Sequence, residues 1–197
     1  MASDEAYKAQ IERLKRRVAE LEQQVQTDEL MGVLNRRGLM QVLNTFVREV
    51  EFQLKNPDRR QFLIIKSLSI LFVDVDNFKQ INDQYGHGLG DIVLREIATV
   101  IRDSLRGIDV VGRYGGEEIV VGLVGAHVEA AVKIAEDLRS RIAALEFPGE
   151  ISALRVTASF GVAAMEPGAT LDELLANADK ALRRAKENGK DRIEVYG

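Results

Sequence analysis

Hydrophobic and polar positions change their period several times along the chain. Between Tyr7 and Val25 the apolar residues Tyr7, Ile11, Leu14, Val18, Leu21 and Val25 follow alternating steps of four and three. This is a heptad seam, with Ile11, Val18 and Val25 at a and Tyr7, Leu14 and Leu21 at d. β-Branched residues at a with Leu at d favour two parallel strands. Arg17 at g can reach Glu22 at e of the partner helix, a pair of small energetic worth. The alternative is a single amphipathic helix lying on its own domain. The polar remainder leaves only a narrow apolar stripe, so residues 7–25 are read as the contact of a parallel homodimer.

From Thr27 onward the periods are those of a globular domain, which divides the chain into a coiled-coil dimerisation and signalling helix at 1–26 and a domain at 27–197. A helix is expected from Arg36 to Lys55, stopped by the Asn-Pro-Asp at 56–58. SLSILFVDVD reads as a buried central strand. LGDIVLREIATVIRDSL reads as a helix with its apolar face at Ile92, Val93, Ile97, Val100 and Ile101. DVVGRYGGEEIVVGLV is a hairpin whose two glycines accept the positive φ of a tight turn. VEAAVKIAEDLRSRIAAL is a second packed helix, and RVTASFGVAAM alternates as a strand. TLDELLANADKALRRAKENG is a helix with Thr170 as N-cap and Gly189 near its end, followed by a final edge strand, RIEVY. The order β-α-β-β-α-β, then helix and strand, is the split βαβ pattern of an α+β, ferredoxin-like domain with one additional unit: a central sheet containing antiparallel pairs, flanked by helices. The FLII run at 62–65 precedes the first strand and reads either as an extra edge strand or as a buried patch.

At 197 residues, 46% hydrophobic and 29% charged, the chain has the composition of an ordinary globular protein. A formal net charge of −4 argues against a broad nucleic-acid surface but leaves room for a small anionic ligand. The absence of Cys excludes a disulfide framework, a thiol nucleophile and zinc-thiolate sites. No apolar run approaches the length of a membrane span and the first residues lack a leader-like apolar stretch, so no membrane insertion and a cytoplasmic location are expected.

Acidic residues stand where strand patterns do not call for them. Glu117 and Glu118 follow Gly115 and Gly116 at the hairpin tip, where a solubilising charged turn is the bland explanation. FVDVD ends the first strand with Asp74 and Asp76, two residues apart and therefore on one face if the strand persists. In a split βαβ sheet the first strand lies beside the hairpin strand, so Asp74, Glu117 and Glu118 can meet. An all-oxygen cluster without Cys or paired His suits Mg²⁺ or Mn²⁺, and Mg²⁺ held by a few carboxylates usually accompanies substrate phosphates.

TDELMGVLNRR, DVDNFKQINDQYGHGLGD, RGIDVVGRYGGEEI and ANADKALRRAKENGKDR, in that order, resemble the GGDEF family of diguanylate cyclases, from about Thr27 to the C-terminus. The resemblance implies a nucleotide-cyclase or palm-like domain that condenses two GTP into cyclic di-GMP and releases two pyrophosphates. Each of two domains would hold one GTP. By motif match, two metal ions per site would be held by Asp74, the main-chain carbonyl of Val75, Glu117 and Glu118, with Glu118 also the candidate for taking the proton of the attacking 3′-hydroxyl. Asn82 and Asp91 match the positions that hydrogen-bond the guanine edge; without the resemblance they read as a helix C-cap and a charge at a helix N-terminus. Phe78 and Lys79, at the DVDNF turn, together with Lys186 and Lys190, match phosphate contacts that otherwise read as ordinary positions. Arg106 and Asp109 match an RxxD site that binds product and inhibits. His87 reads as a loop or capping residue and His127 as surface.

The chain departs from the family pattern at Ile119 in place of Phe, Met31 in place of Thr, and Lys190 in place of Arg, which keeps charge but loses a bidentate fork. None of these removes a metal or guanine residue. The competing readings are a catalytically silent receptor for cyclic di-GMP or GTP, and a related cyclase making another nucleotide product. The implied partners are GTP, cyclic di-GMP, a second copy of the chain and an upstream sensor domain.

Overall fold

The computed structural model describes residues 7, 10–17, 26–56, 65–147 and 152–197. Residues 10–17 are helical, and Tyr7, Ile11 and Leu14 are exposed. The other seam positions, Val18, Leu21 and Val25, lie outside the described residues, as do 62–64 of the FLII run; Ile65 is buried.

The elements follow the expected order, with one helix more than expected, Phe78–Tyr85, between the first strand and the long helix. Helix α1 spans Arg36–Lys55, strand β1 Leu68–Val75, helices α2 and α3 Phe78–Tyr85 and His87–Ser104, and strands β2 and β3 Val110–Arg113 and Glu118–Val124. Helix α4 spans Val128–Ala143, strand β4 Ala158–Ala164, helix α5 Leu171–Glu187 and strand β5 Ile193–Val195. The sheet has the order β2-β3-β1-β4-β5. β1 pairs antiparallel with β3 and β4, and β5 adds a parallel edge to β4. This is the split βαβ arrangement with one extra strand.

Every residue of β1 is buried because helices cover both faces of the sheet. On one face Val73, Val75, Ile119, Val121 and Phe160 pack with α2, α3 and α4. On the other, Ile70, Phe72 and Val120 meet Leu39 and Leu43 of α1 and Leu175 and Leu182 of α5. Each such aliphatic side chain contributes about 1.5–3 kcal/mol by leaving water. α1 begins where the Asn35 side chain accepts from Gly38 N and ends at Asn56, before Pro57. α5 begins in a capping box, in which Thr170 and Glu173 each accept from the other's backbone N–H.

Three local expectations need correction. Ile92 is 38% exposed; the stripe that α3 buries is Val93, Leu94, Ile97, Ala98 and Ile101, and Ile92 falls outside its arc. Asn82 is not a C-cap, because α2 continues to Tyr85 and stops at Gly86, whose φ of 82° is open to glycine. Neither Gly115 nor Gly116 has a positive φ, so left-handed backbone does not explain the glycine pair. His87 is the exposed first residue of α3 and His127 the residue before α4, consistent with surface roles.

Candidate active site

The β1 and β3 register places Asp74 directly opposite Glu118, so both side chains project from one face of the sheet, toward α5. Asp74 is 5% exposed, and its Oδ2 lies 2.7 Å from Nζ of Lys186, near the end of α5. Burial is the largest influence on its carboxyl and raises its pKa above the ordinary 3.8. The Lys186 hydrogen bond and charge pull it down, and the Glu117 and Glu118 carboxylates push it up again. Asp74 therefore senses both glutamates.

The tip that carries Glu117 and Glu118 is built by close packing. The Glu118 side chain folds back over Gly115, so that a Cβ there would lie 2.5 Å from its Oε2 and displace the end of that side chain. Arg113 Nε donates to the carbonyls of Gly115 and Gly116 at 3.1 and 2.9 Å, and its Nη1 meets Asp28 Oδ2 at 3.1 Å. Arg36 stacks over Tyr114 at 4.3 Å, and Tyr114 packs edge-on against Phe72. Glu118 also lines a groove of about 420 Å³ with Phe72, Tyr114, Asp179 and Arg183. The LNRR motif contains Arg36 and RYGGEE contains Arg113, yet nothing in their spacing signals these contacts.

All-oxygen donors at a buried excess of negative charge fit a hard divalent cation. Among the described residues no group of three or more His, Cys, Asp or Glu side chains is gathered into a ready-made metal site. Lys186 supplies the positive charge at Asp74 in this arrangement.

A second region lies between α2 and α3. Asn82 Oδ1 is buried without a hydrogen-bond partner, and Gly90 lies so close that a Cβ there would fall 2.0 Å from it. Asp91 follows directly in α3. A buried, unsatisfied acceptor beside a carboxylate is suited to a ligand that presents N–H donors. The turn between β1 and α2 lies between this region and the acids. Asn77 has φ 56°, its side chain caps no N–H of α2, and its Oδ1 accepts from Lys190 Nζ. The amides of Phe78 and Lys79 open α2 at this point, while the Phe78 side chain is buried in the core.

Arg106 and Asp109 occupy the loop between α3 and β2. The Asp109 side chain is 1% exposed and accepts from Arg106 N, Nε and Nη2 and from Val124 N. Arg106 stays 59% exposed, and its ion pair raises its pKa. Val124 ends β3 and Glu118 begins it, so this loop stands roughly 20 Å from the acids along the strand.

Asp76 separates from the acidic cluster. It reaches Ser159, which lies opposite Asp74 in the β4 register, and the loop after α5.

Residues 25–192 match the family described as "Diguanylate cyclase, GGDEF domain". The chain is 40% identical over 173 residues to diguanylate cyclase DgcP of Pseudomonas aeruginosa, covering 88% of this chain and 24% of that protein. It is 36% identical over 180 residues to diguanylate cyclase DgcM of Escherichia coli, covering 91% of this chain and 40% of the relative. It therefore spans less than half the length of these curated relatives. Among solved structures, the coiled coil and GGDEF domain of DgcB from Caulobacter crescentus, in complex with c-di-GMP, superposes with a TM-score of 0.79 over 98% of this chain and 97% of that one, at 24% identity, a likeness of fold. Diguanylate cyclase SiaD of Pseudomonas aeruginosa, in complex with its activator SiaC, gives a TM-score of 0.74 at 32% identity over 98% of this chain and 76% of that one.

Proposed function

The chain belongs to the diguanylate cyclase GGDEF domain family, and from that premise we propose that it joins two GTP molecules into cyclic di-GMP, releasing two pyrophosphates. The observation that carries this reading is the pairing of Asp74 with Glu118 across β1 and β3, together with an Asn82 Oδ1 that is buried without a partner among the described residues. One region suits phosphate chemistry and the other a guanine edge.

Asn82 and Asp91 bind the base: the amide oxygen and the carboxylate accept from guanine N–H groups, which adenine cannot present in the same pattern. The amides of Phe78 and Lys79, with Lys186 and Lys190, hold the phosphates. Family members require a divalent metal. Two Mg²⁺ or Mn²⁺ ions held by Asp74, the Val75 carbonyl, Glu117 and Glu118 would neutralise phosphate charge and lower the pKa of the 3′-hydroxyl. Glu118 would accept the proton of that hydroxyl as O3′ attacks the α-phosphorus and pyrophosphate leaves. Each chain holds one nucleotide, so the attacking hydroxyl comes from a second copy brought opposite through residues 7–25. Arg106 is the outward-facing member of the RxxD pair and takes product, so accumulated cyclic di-GMP slows turnover. A sensor domain in a longer protein would act on the coil.

Incubation of the protein with GTP and Mg²⁺, followed by chromatographic separation of the nucleotides, tests this directly. Cyclic di-GMP is the expected product. If none forms after bound product has been removed, while GTP or cyclic di-GMP still binds, the chain is a receptor.

A further inference from the structure

We propose that Asp76 is a positioning residue: its buried carboxylate latches the loop after α5 to the turn after β1, so that Lys190 stays at the phosphate end of the nucleotide site. This rests on the reading that GTP binds there.

Asp76 is 4% exposed, and its oxygens accept three hydrogen bonds from two other segments. Ser159 Oγ donates to Oδ1 at 2.7 Å, Thr157 Oγ1 to Oδ2 at 2.7 Å, and the backbone N of Asp191 to Oδ2 at 3.0 Å. Its own N–H donates to Thr157 O at 2.9 Å. Both oxygens are thus committed to hydroxyl and amide donors on β4 and the C-terminal loop. A carboxylate held in this way is a structural anchor, because its charge is stabilised by donors that cannot leave without stranding it in the interior.

What it anchors is an unusual piece of backbone. Lys190 and Asp191 both have positive φ, 64° and 44°, a conformation that side-chain-bearing residues rarely adopt, and here it occurs twice in succession. Such a loop persists only where its surroundings over-determine it. Asp76 holds Asp191 N from inside, and Arg139 of α4 holds Asp191 Oδ1 from outside at 2.7 Å. Lys190 N closes on Ala185 O at 3.0 Å. The consequence is the placing of Lys190 Nζ on Asn77 Oδ1, one residue after Asp76 and immediately before the first amides of α2. The anchor, the strained loop and the lysine form one closed circuit around the turn that meets the phosphates.

Loss of the Asp76 carboxylate frees the loop and removes Lys190 from the turn, whereas Asn82 and Asp91 lie on other elements. Grip on polyphosphate should weaken and grip on the base should not. The test is calorimetric titration of the full chain with a GTP analogue that cannot be cleaved between the α- and β-phosphates, and with GMP, in Mg²⁺. Asp76→Ala should bind the GTP analogue about tenfold more weakly, the loss of one charge-assisted contact, with GMP affinity little changed. Asp76→Asn should recover part of the loss, because its oxygen can serve Thr157 and Asp191 N while Ser159 turns its hydroxyl to accept from the amide. Arg139→Gln and Thr157→Val leave Asp76 in place and should weaken the analogue to a smaller degree in the same direction. A folded Asp76→Ala protein with wild-type affinity for the analogue overturns the proposal. If that variant does not fold, unchanged affinity in both Arg139→Gln and Thr157→Val overturns it. Wild-type protein that does not distinguish the analogue from GMP overturns the functional reading as well, so the two failures are told apart.

Discussion

At the scale of single residues, the site is defined by competition for Asp74. Burial raises its pKa, Lys186 lowers it, and Glu117 and Glu118 raise it again. A carboxyl whose pKa is raised on folding contributes stability that is complete below its ordinary value of 3.8 and is lost as pH rises through the folded value. At neutral pH the ionised Asp74 therefore burdens the fold, and Lys186 or a cation offsets the burden. Lys186→Met removes the cation that lowers Asp74 and should move its carboxyl further up, measurable as a shift of its ¹³C titration. The stability deficit of the variant against wild type should shrink as pH is lowered. A midpoint that stays in place or falls would show that Lys186 does not govern Asp74. Glu117→Ala acts in the opposite sense on Asp74 and takes away a proposed metal ligand. It should reduce cyclic di-GMP formation by at least on the order of 10²-fold while the thermal transition stays near that of wild type. Wild-type turnover in that variant would remove Glu117 from the chemistry.

At the scale of elements, glycine decides how closely things approach. A Cβ on Gly161 of β4 would lie 2.0 Å from Ala178 O and 2.3 Å from Leu182 N, both backbone atoms of α5. Gly161→Ala should therefore force α5 off the sheet and cost about 3 kcal/mol in denaturant unfolding, at the upper end of overpacking. A loss below about 0.5 kcal/mol would mean that the helix slides without penalty. The RxxD loop is likewise an element-level device. Asp109 ties it to the last residue of β3, so Arg106→Ala should leave the strand anchored through the Asp109 and Val124 contact while removing the exposed guanidinium. Turnover at high product should rise in that variant, and an unchanged inhibition profile would sink the assignment of Arg106. The succession of strands, the flanking helices and the meeting of Asp74 with Glu118 were legible because alternation, strand length and the split βαβ pattern are one-dimensional signals. The fold-back of Glu118 over Gly115 was not, since it is a side-chain conformation, and the part played by Asp76 was not, since its partners lie 81 to 115 positions away. Ile92 was misplaced because a run of apolar residues leaves the centre of a buried stripe undetermined by about one position.

At the scale of the whole molecule, the proposed condensation of two nucleotides calls for two sites, one from each of two chains. The segment leading into the domain is hydrogen-bonded to the strand and turn of the hairpin. Leu34 N donates to Val111 O at 3.2 Å, Arg113 N donates to Leu34 O at 2.7 Å, and Asp28 pairs with the same Arg113 that holds the carbonyls of Gly115 and Gly116. Residues 28–34 are thereby tied by hydrogen bonds and an ion pair to the strand and turn that carry Glu117 and Glu118. The seam positions Ile11 and Leu14 are 51% and 57% exposed, so they are not packed on their own domain and are available to a partner helix. Replacing both with Asp in the full chain should leave the domain folded, since neither contributes to its core. On the proposal that residues 7–25 join two copies, it should yield a monomer in sedimentation where wild type is dimeric, and at micromolar protein should lower cyclic di-GMP formation by on the order of 10²-fold, because tethering through a coil raises the effective concentration of the second site toward the millimolar range. The residual rate should then grow with the square of protein concentration. A monomeric variant that keeps wild-type turnover, with a rate proportional to protein, would show that residues 7–25 do not bring the two sites together.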